Sequence, residues 1–181
     1  GLGQEEDTAL AMMEQIQGST LPIVLDADAI NILSTHRNWL SRIPKRCILT
    51  PHLGELERLI GKCMDTYERL TKVKELAAYL QSYIIVKGAW TCIVTPEGNY
   101  YFNPTGNPGM ATGGSGDVLT GILLGLLAQG YEREDACRLG VYVHGLAGNL
   151  AAEEKTEIGM TANDIIEALP KAWKTLTTKN R

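Results

Sequence analysis

The sequence predicts an α/β fold in which helices cover a mainly parallel β-sheet. Three short apolar segments, each typical of a fully buried strand, alternate with helical segments in the first half of the chain. Two further strand-like segments flank a turn at residues 96–98, which predicts an antiparallel hairpin at one edge of the sheet. The chain has 181 residues, 44% of them apolar and 21% charged, which suits one domain with its own core.

In the first half of the chain, turn residues separate the predicted elements. Gly18 ends the first helix, whose buried stripe we expect at Leu10, Met13 and Ile16–Gln17. Pro51 ends the second strand, since proline donates no ladder hydrogen bond. In chain order, we expect a helix at 5–17, a strand at 21–26, a helix at 28–33, a strand at 47–50, and helices at 53–60 and 67–81.

The next element is the clearest strand, an apolar β-branched segment that Gly88 closes. Gly121 and Gly125 of the following long helix are expected to allow close packing on the sheet. We expect strands at 83–87, 91–95 and 99–102, a loop at 103–114, and helices at 115–129, 133–153 and 161–176. The apolar stripe of the helix at 115–129 is predicted at Val118, Leu119, Ile122, Leu123, Leu126 and Leu127.

Composition argues against several classes of partner. The formal net charge of −4 and the isoelectric point near 5.4 do not favour binding to nucleic acid, which requires dense Lys and Arg. The longest apolar run, residues 118–128, is shorter than the roughly 20 residues that span a bilayer, and no signal peptide opens the chain. The four cysteines are widely spaced, which favours reduced thiols and a cytoplasmic protein.

Polar residues follow each of the three predicted buried strands. Asp26 and Asp28 follow the first, His52 and Glu55 follow the second, and residues 87–91 follow the third. Ligands of open α/β sheets bind beyond the carboxyl ends of the strands, so these residues predict one shared crevice.

A glycine-rich run gives the strongest local signal for a ligand. The glycines at 113, 114 and 116 allow a sharp turn whose bare amides meet the start of a helix, and this combination binds anions. Asp117, in the first turn of that helix, is either an ordinary helix-start charge or a carboxylate within reach of a phosphate and an activated hydroxyl. The run matches neither the P-loop pattern nor the dinucleotide-binding pattern, which disfavours hydride transfer.

Five segments, in the same order, resemble motifs of the nucleotide-dependent NAD(P)H-hydrate dehydratases of the ribokinase-like superfamily. They are LDADAIN at 25–31, TPHLGE at 50–55, KGAWT at 87–91, NPTGN at 103–107 and GGSGD at 113–117. The second has Leu where the family usually has its second Pro. The resemblance extends from residue 1 to about residue 173, and it implies a ribokinase-like three-layer α/β/α fold.

The resemblance also implies a reaction. NADH or NADPH that is hydrated on its nicotinamide ring would be phosphorylated on the ring hydroxyl by ADP or ATP, and phosphate would then leave as the double bond re-forms. Asp117 would act as the base, while Gly3, His52 and Asp117 would bind the substrate. The nucleotide would contact Lys87, Gly88, Ala89, Trp90, Thr91, Gly113, Gly114, Ser115 and Gly116. Backbone amides of the glycine run would stabilise the transferring phosphoryl group.

Two other assignments keep alternatives. Glu55 and Asp28 are candidates to orient Mg²⁺, although both also suit helix N-terminal charges, and a zinc site is disfavoured for lack of further ligands. His52 either contacts the substrate, as the resemblance implies, or caps the helix that begins near Leu53. His144 is expected to be a packing histidine.

The first rival function is a small-molecule kinase of the same superfamily acting on a vitamin-precursor alcohol, which would share Asp117. The His52 segment disfavours it, since such kinases commonly have Asn there.

Residues 1–3 resemble the end of a turn that lies well inside the family domain, so we expect residues 1–181 to form one domain without its N-terminal part. The second rival is therefore a catalytically silent chain that still binds nucleotide or a partner. A homo-oligomer and a fused or separate NAD(P)H-hydrate epimerase are further expected partners.

Overall fold

The computed structural model describes residues 1–178, which form two compact units. The sheet unit comprises residues 1–88 and 92–102. The helical unit comprises residues 89–91 together with the chain from Asn103 onward. Within the part of the chain described, no helix is both long enough and apolar enough to cross a membrane.

The sheet unit contains one open sheet of five strands in the order β1-β2-β3-β4-β5. The first three strands are parallel, while β3, β4 and β5 pair antiparallel, so both the parallel sheet and the hairpin at its edge are confirmed. All of β2, β3 and β4 is buried, which explains their continuous apolar sequences. The strands are β1 (Val24–Leu25), β2 (Ile48–Leu49), β3 (Tyr83–Val86), β4 (Cys92–Val94) and β5 (Tyr100–Phe102).

Four α-helices connect or precede these strands. Two of them are capped by the side chain that precedes them. The His52 side chain accepts backbone amides at the start of α3, and the Asp65 side chain accepts the amide of Glu68 in α4. Gly61, at φ +81°, ends α3. The helices are α1 (Glu6–Gly18), α2 (Asp28–Thr35), α3 (Leu53–Ile60) and α4 (Thr66–Leu80), with a 3₁₀ helix at Arg37–Arg42 that the sequence did not predict.

The core of the sheet unit is aliphatic and includes the inner face of α1. Ala9, Met12, Met13 and Ile16 are the buried residues of that helix. The predicted stripe was wrong at Leu10, which is 53% exposed, and at Gln17, which is exposed as well. Ala9 and Met12 complete the buried face because residues three and four apart share one side of a helix.

The helical unit contains a 3₁₀ helix at Pro108–Met110 and three α-helices, α5 (Ser115–Ala128), α6 (Arg133–Gly159) and α7 (Ala162–Thr178). The loop that precedes α5 packs closely on α6, where a Cβ on Gly148 would overlap the sulfur of Met110. Near its end, α6 is interrupted at Thr156, whose φ of 67° and ψ of 159° are not helical. The predicted end of this helix at Glu153 therefore falls shortly before the break.

The apolar stripe of α5 is confirmed, because all six of its predicted residues are buried. The expected role of Gly121 and Gly125 in close packing on the sheet was wrong. Both glycines are exposed, and a Cβ at either position would meet no atom within 4 Å.

Candidate active site

The carboxyl ends of β1, β2 and β3 hold the first cluster of polar residues. Lys87, directly after β3, donates from Nζ to Asp26 Oδ1 at 2.7 Å, and only 22% and 11% of the two side chains are exposed. The main chain of Lys87 is fixed as well, since its amide donates to the carbonyl of Pro51 at 2.9 Å and the residue forms a parallel bridge with His52. The structure thus brings Asp26, His52 and Lys87 together at this edge of the sheet, whereas a single crevice shared by all of the strand-end residues stays a prediction.

A strained turn follows β1. The amide of Ala29 donates to the carbonyl of Asp26 at 3.1 Å and closes a four-residue turn. Ala27, inside it, has φ 49° and ψ −118°, the values of the first central residue of a type II′ turn, which glycine prefers. The turn separates two carboxylates, so that Asp26 meets Lys87 while Asp28 begins α2.

Asp28 contacts the start of the chain. Its Oδ2 accepts the amide of Gly3 at 3.1 Å, and its Oδ1 accepts the side-chain amide of Gln4 at 3.0 Å. The hydrogen bond from Gly3, and then that from Gln4, hold the pKa of Asp28 below its usual value. Gly3 has φ +86° and so adopts the left-handed region that favours glycine. Its predicted contact with substrate stays a prediction.

His52 and Glu55 form a capping box at the start of α3. Nδ1 of His52 accepts the amides of Gly54 at 3.0 Å and Glu55 at 3.3 Å, while Glu55 Oε2 accepts the amide of His52 at 2.8 Å. The capping interpretation of His52 is therefore confirmed. Because Nδ1 accepts, the neutral ring carries its proton on Nε2, which lies 3.4 Å from Glu55 Oε1. The side chain of His52 is 55% exposed, so its ring can also contact a ligand.

The two candidate magnesium residues already accept hydrogen bonds within the protein. Both carboxylate oxygens of Asp28 are engaged, and both oxygens of the buried Glu55 lie against His52. No group of three or more His, Cys, Asp or Glu residues suited to a metal ion occurs in the described chain. Each of these oxygens keeps a further acceptor site, so a role of Asp28 and Glu55 in orienting Mg²⁺, directly or through water, stays a prediction.

The second cluster lies at the start of α5, in the helical unit. Gly114, at φ +88°, is the N-cap residue, and no side chain caps this helix. The amide of Ser115 donates to the carbonyl of Thr112, and that of Val118 to Gly114. The amides of Gly116 and Asp117, at the second and third helical positions, have no intrahelical acceptor. A glycine turn thus presents unsatisfied donors at the positive end of a helix, as an anion site requires.

Asp117 is exposed and belongs to the first turn of this same helix. It lines a groove of about 800 Å³ between α5 and α7. Ser115, in contrast, is buried, and its Oγ lies 3.4 Å from Nε2 of His144 on α6. His144 is thus a packing residue, as expected, and it also supports the glycine turn. The other side chains lining the groove are mostly apolar and include Val118, Ile122, Leu126, Ile166, Leu169 and Trp173.

The predicted nucleotide residues after β3 divide between the two units. Lys87 and Gly88 belong to the sheet unit, and Ala89, Trp90 and Thr91 to the helical unit. A Cβ on Gly88 would meet nothing within 4 Å, and Trp90 is 69% exposed. The segment is therefore accessible, and its contact with nucleotide stays a prediction.

The loop at 103–107 is held in place by its own polar side chains. The side chain of Asn103 donates to the carbonyls of Thr105 and Val141, while Thr105 donates from Oγ1 to the carbonyl of Tyr142. Asn107 donates to Asn149 Oδ1 at 3.2 Å. These bonds anchor the loop on α6 ahead of the glycine turn.

Sequence reasoning missed two features of these clusters. Asp26 was grouped with the strand-end residues but given no role, because its partner Lys87 lies 61 residues away. The sequence signal for a role of Asp26 was the pair of aspartates that follows β1. The groove beside Asp117 was missed as well, and its signal was the exposed glycine pair at 121 and 125.

Comparison with known proteins gives a consistent result. The family model described as NAD(P)H-hydrate dehydratase matches residues 1–171. The bifunctional NAD(P)H-hydrate repair enzyme of Thermofilum pendens is 42% identical over 178 residues, which are 97% of this chain and 34% of that enzyme.

Two solved structures extend the comparison. The ADP/ATP-dependent NAD(P)H-hydrate dehydratase of Bacillus subtilis, co-crystallised with ATP and Mg²⁺, is 36% identical with a TM-score of 0.81, covering 97% of this chain and 62% of that one. A ribokinase-like superfamily protein of Enterococcus faecalis is 31% identical with a TM-score of 0.83, covering 97% and 61%. The fold is therefore ribokinase-like, and the chain spans between about a third and less than two thirds of these relatives.

Proposed function

Because the chain belongs to the NAD(P)H-hydrate dehydratase family, we propose that its parent protein dehydrates hydrated NADH or NADPH at the expense of ADP or ATP. The observation that carries this proposal is the start of α5, where unsatisfied amides and an exposed carboxylate occupy consecutive positions. The names of the Bacillus subtilis and Thermofilum pendens relatives support the substrate class.

The chemistry follows from leaving-group ability. Asp117 takes the proton of the ring hydroxyl, whose oxygen then attacks the terminal phosphorus of the nucleotide and releases the shortened nucleotide. Backbone amides of the glycine run, Gly113 to Gly116, stabilise the charge on the phosphoryl group during transfer. The C–O bond of the phosphorylated ring breaks next, a proton leaves the neighbouring carbon, and inorganic phosphate departs as the double bond re-forms. Phosphate is a far better leaving group than hydroxide.

Binding roles are proposed for the remaining predicted residues. Lys87 and residues 88–91 contact the nucleotide, with the ammonium of Lys87 on its phosphates. Gly3 and the exposed ring of His52 contact the hydrated nicotinamide. Mg²⁺, when bound, would neutralise phosphate charge, and Asp28 and Glu55 would orient it directly or through water.

The test is cofactor repair by the parent protein. Hydrated NADH is incubated with ADP or ATP and Mg²⁺, and both the absorbance of reduced nicotinamide and inorganic phosphate are followed. Recovery of NADH with one phosphate released per molecule supports the dehydratase. Transfer of phosphate to a stable vitamin-precursor alcohol, without cofactor repair, would identify a kinase instead. Nucleotide binding measured by calorimetry, with neither reaction, would identify a silent binding protein.

The remaining proposals concern location and assembly. All four cysteines are thiols in the structure, which supports a reducing compartment such as the cytoplasm. The bifunctional relative supports an association with a second NAD(P)H-hydrate repair activity, for which an epimerase is the proposed partner. Size-exclusion chromatography with light scattering on the parent protein tests for the proposed homo-oligomer.

A further inference from the structure

Two independent features converge on Asp26, a residue with no role in the mechanism above. The first is its short ion pair with Lys87, in which the Nζ–Oδ1 distance is 2.7 Å and the carboxylate side chain is only 11% exposed. The second is the turn that Asp26 opens, in which Ala27 adopts a conformation that glycine prefers. Strained backbone of this kind costs about 1–3 kcal/mol and persists where the surroundings enforce it.

A largely buried ion pair is itself weak evidence for stability. Removing two charges from water costs free energy that their attraction only partly offsets, so apolar replacements are often as stable. A strand-end lysine that served only to solvate the sheet edge would extend into water. Lys87 instead keeps only 22% of its side chain exposed and lies against Asp26. The pair therefore fixes the position of the ammonium group rather than solvating the edge.

We propose that Asp26 is a positioning residue that holds the Lys87 ammonium group for contact with the nucleotide phosphates. This inference rests on the proposed function, because it assumes that Lys87 binds nucleotide. An ammonium group has three N–H donors, and Asp26 accepts one of them in the structure. The amide of Lys87 is fixed by Pro51, so Asp26 restrains the end of a side chain whose beginning is already restrained.

Asp26 has two opposing influences on nucleotide affinity. Asp26 places a negative charge near the phosphates, which opposes binding, but it also removes the rotamer freedom that Lys87 would otherwise lose on binding. The phosphates lie on the far side of the ammonium group in this proposal, so the restraint outweighs the repulsion. Asp26→Ala is therefore expected to weaken nucleotide binding about tenfold, within the range of couplings between contacting residues. Asp26→Asn keeps an acceptor oxygen and is expected to weaken it less.

The test is a double-mutant cycle on nucleotide affinity in the parent protein. The dissociation constant of ADP is measured by calorimetry for the wild type, Asp26→Ala, Lys87→Met and the double variant. We expect Asp26→Ala to weaken binding when Lys87 is present and to have no further effect in the Lys87→Met background. Glu68→Ala is the control, since it breaks an ion pair with Lys72 on α4, at 2.8 Å, that takes no part in the proposal.

Each other outcome overturns the inference. An equal loss of affinity in both backgrounds would assign Asp26 a general structural role, which a matching loss of thermal stability would confirm. Unchanged or stronger binding in Asp26→Ala would show that the restraint does not matter. Cofactor repair by the wild type is measured in parallel. If the wild type repairs the cofactor but the two substitutions act additively on ADP affinity, only the positioning role is refuted. If the two substitutions are coupled but no repair occurs, only the proposed dehydratase function is refuted.

Discussion

Replacing Gly114 with alanine tests how tightly the start of α5 is specified. Gly114 has φ +88° and ψ −13°, and a Cβ built there would lie 3.1 Å from the Cβ of Ala162. The variant therefore introduces both a strained backbone and a crowded contact at the residue that opens the proposed anion site.

The magnitude follows from three contributions. The left-handed region costs a residue other than glycine about 1–2 kcal/mol. The lower entropy of the unfolded alanine chain offsets about 0.4–1 kcal/mol of this. Crowding against Ala162 adds a cost, since one of the two groups must move by a few tenths of an ångström. We expect a net loss of about 1–2 kcal/mol in the free energy of unfolding, which is a typical cost of overpacking.

The assay is urea unfolding of the parent protein, with Gly113→Ala as the matched control. A Cβ on Gly113 would meet no atom within 4 Å, so this variant should stay within about 0.5 kcal/mol of the wild type. Gly114→Ala should lower the urea midpoint at unchanged slope. Equal midpoints for the two variants would refute the assigned backbone conformation. In addition, the methyl group of Gly113→Ala would occupy the space proposed for phosphate, so it should weaken ADP binding without loss of stability.

Four further predictions concern other parts of the structure. Ala27→Gly relieves the strained turn and should raise the free energy of unfolding by about 1 kcal/mol, and a lower urea midpoint would contradict this. His52→Ala removes a helix cap and should cost about 1 kcal/mol in urea unfolding, whereas His52→Asn should cost less. Hydrogen bonds from the side chain and then the amide of Thr161 lower the pKa of Asp164. The pKa of Asp164 is lower in the folded than in the unfolded state, so this stabilisation is present above pH about 4 and is lost as pH falls below it. Asp164→Asn should therefore make the loss of thermal stability in acid less steep, as measured by thermal unfolding. A thiol reagent should modify only the half-buried Cys63 rapidly, because the other three cysteines are buried, and a second fast thiol would count against this packing.

Local signals were sufficient where they set an element's start or end. Helix α3 was predicted at 53–60 and lies at Leu53–Ile60, because the preceding Pro51 and His52 and the following Gly61 define both ends. The strands are shorter than predicted, with β1 at Val24–Leu25 rather than 21–26. Apolar character marks burial along the whole segment, whereas ladder hydrogen bonds form only where a neighbouring strand runs alongside.

Features that depend on distant contacts could not be predicted in the same way. The exposure of Gly121 and Gly125 depends on which side of α5 other elements cover, and a pattern within one helix does not contain that information. The ion pair of Asp26 with Lys87 depends on the pairing of three strands. The break at Thr156 has no local cause in the sequence, since a β-branched residue disfavours that conformation.

The glycine turn was the part of the candidate site that sequence defined best. Its glycines, its helix start and the acid in the first turn are adjacent in the chain, so their geometry is local. What the sequence left open was the surroundings of Asp117, which the structure shows to be an exposed position beside an apolar groove.

Replacement of Asp117 by asparagine tests the central claim most directly, with Asp135→Asn as the control. Both aspartates are exposed third residues of their helices, α5 and α6, so the two changes remove the same helix N-terminal charge. Repair of hydrated NADH by the parent protein should fall by at least about a hundredfold in kcat for Asp117→Asn, with the Kd of ADP within about threefold of the wild type. Asp135→Asn should retain wild-type kcat. Near-normal turnover in Asp117→Asn, or equal losses in both variants, would contradict the assignment of Asp117 as the base.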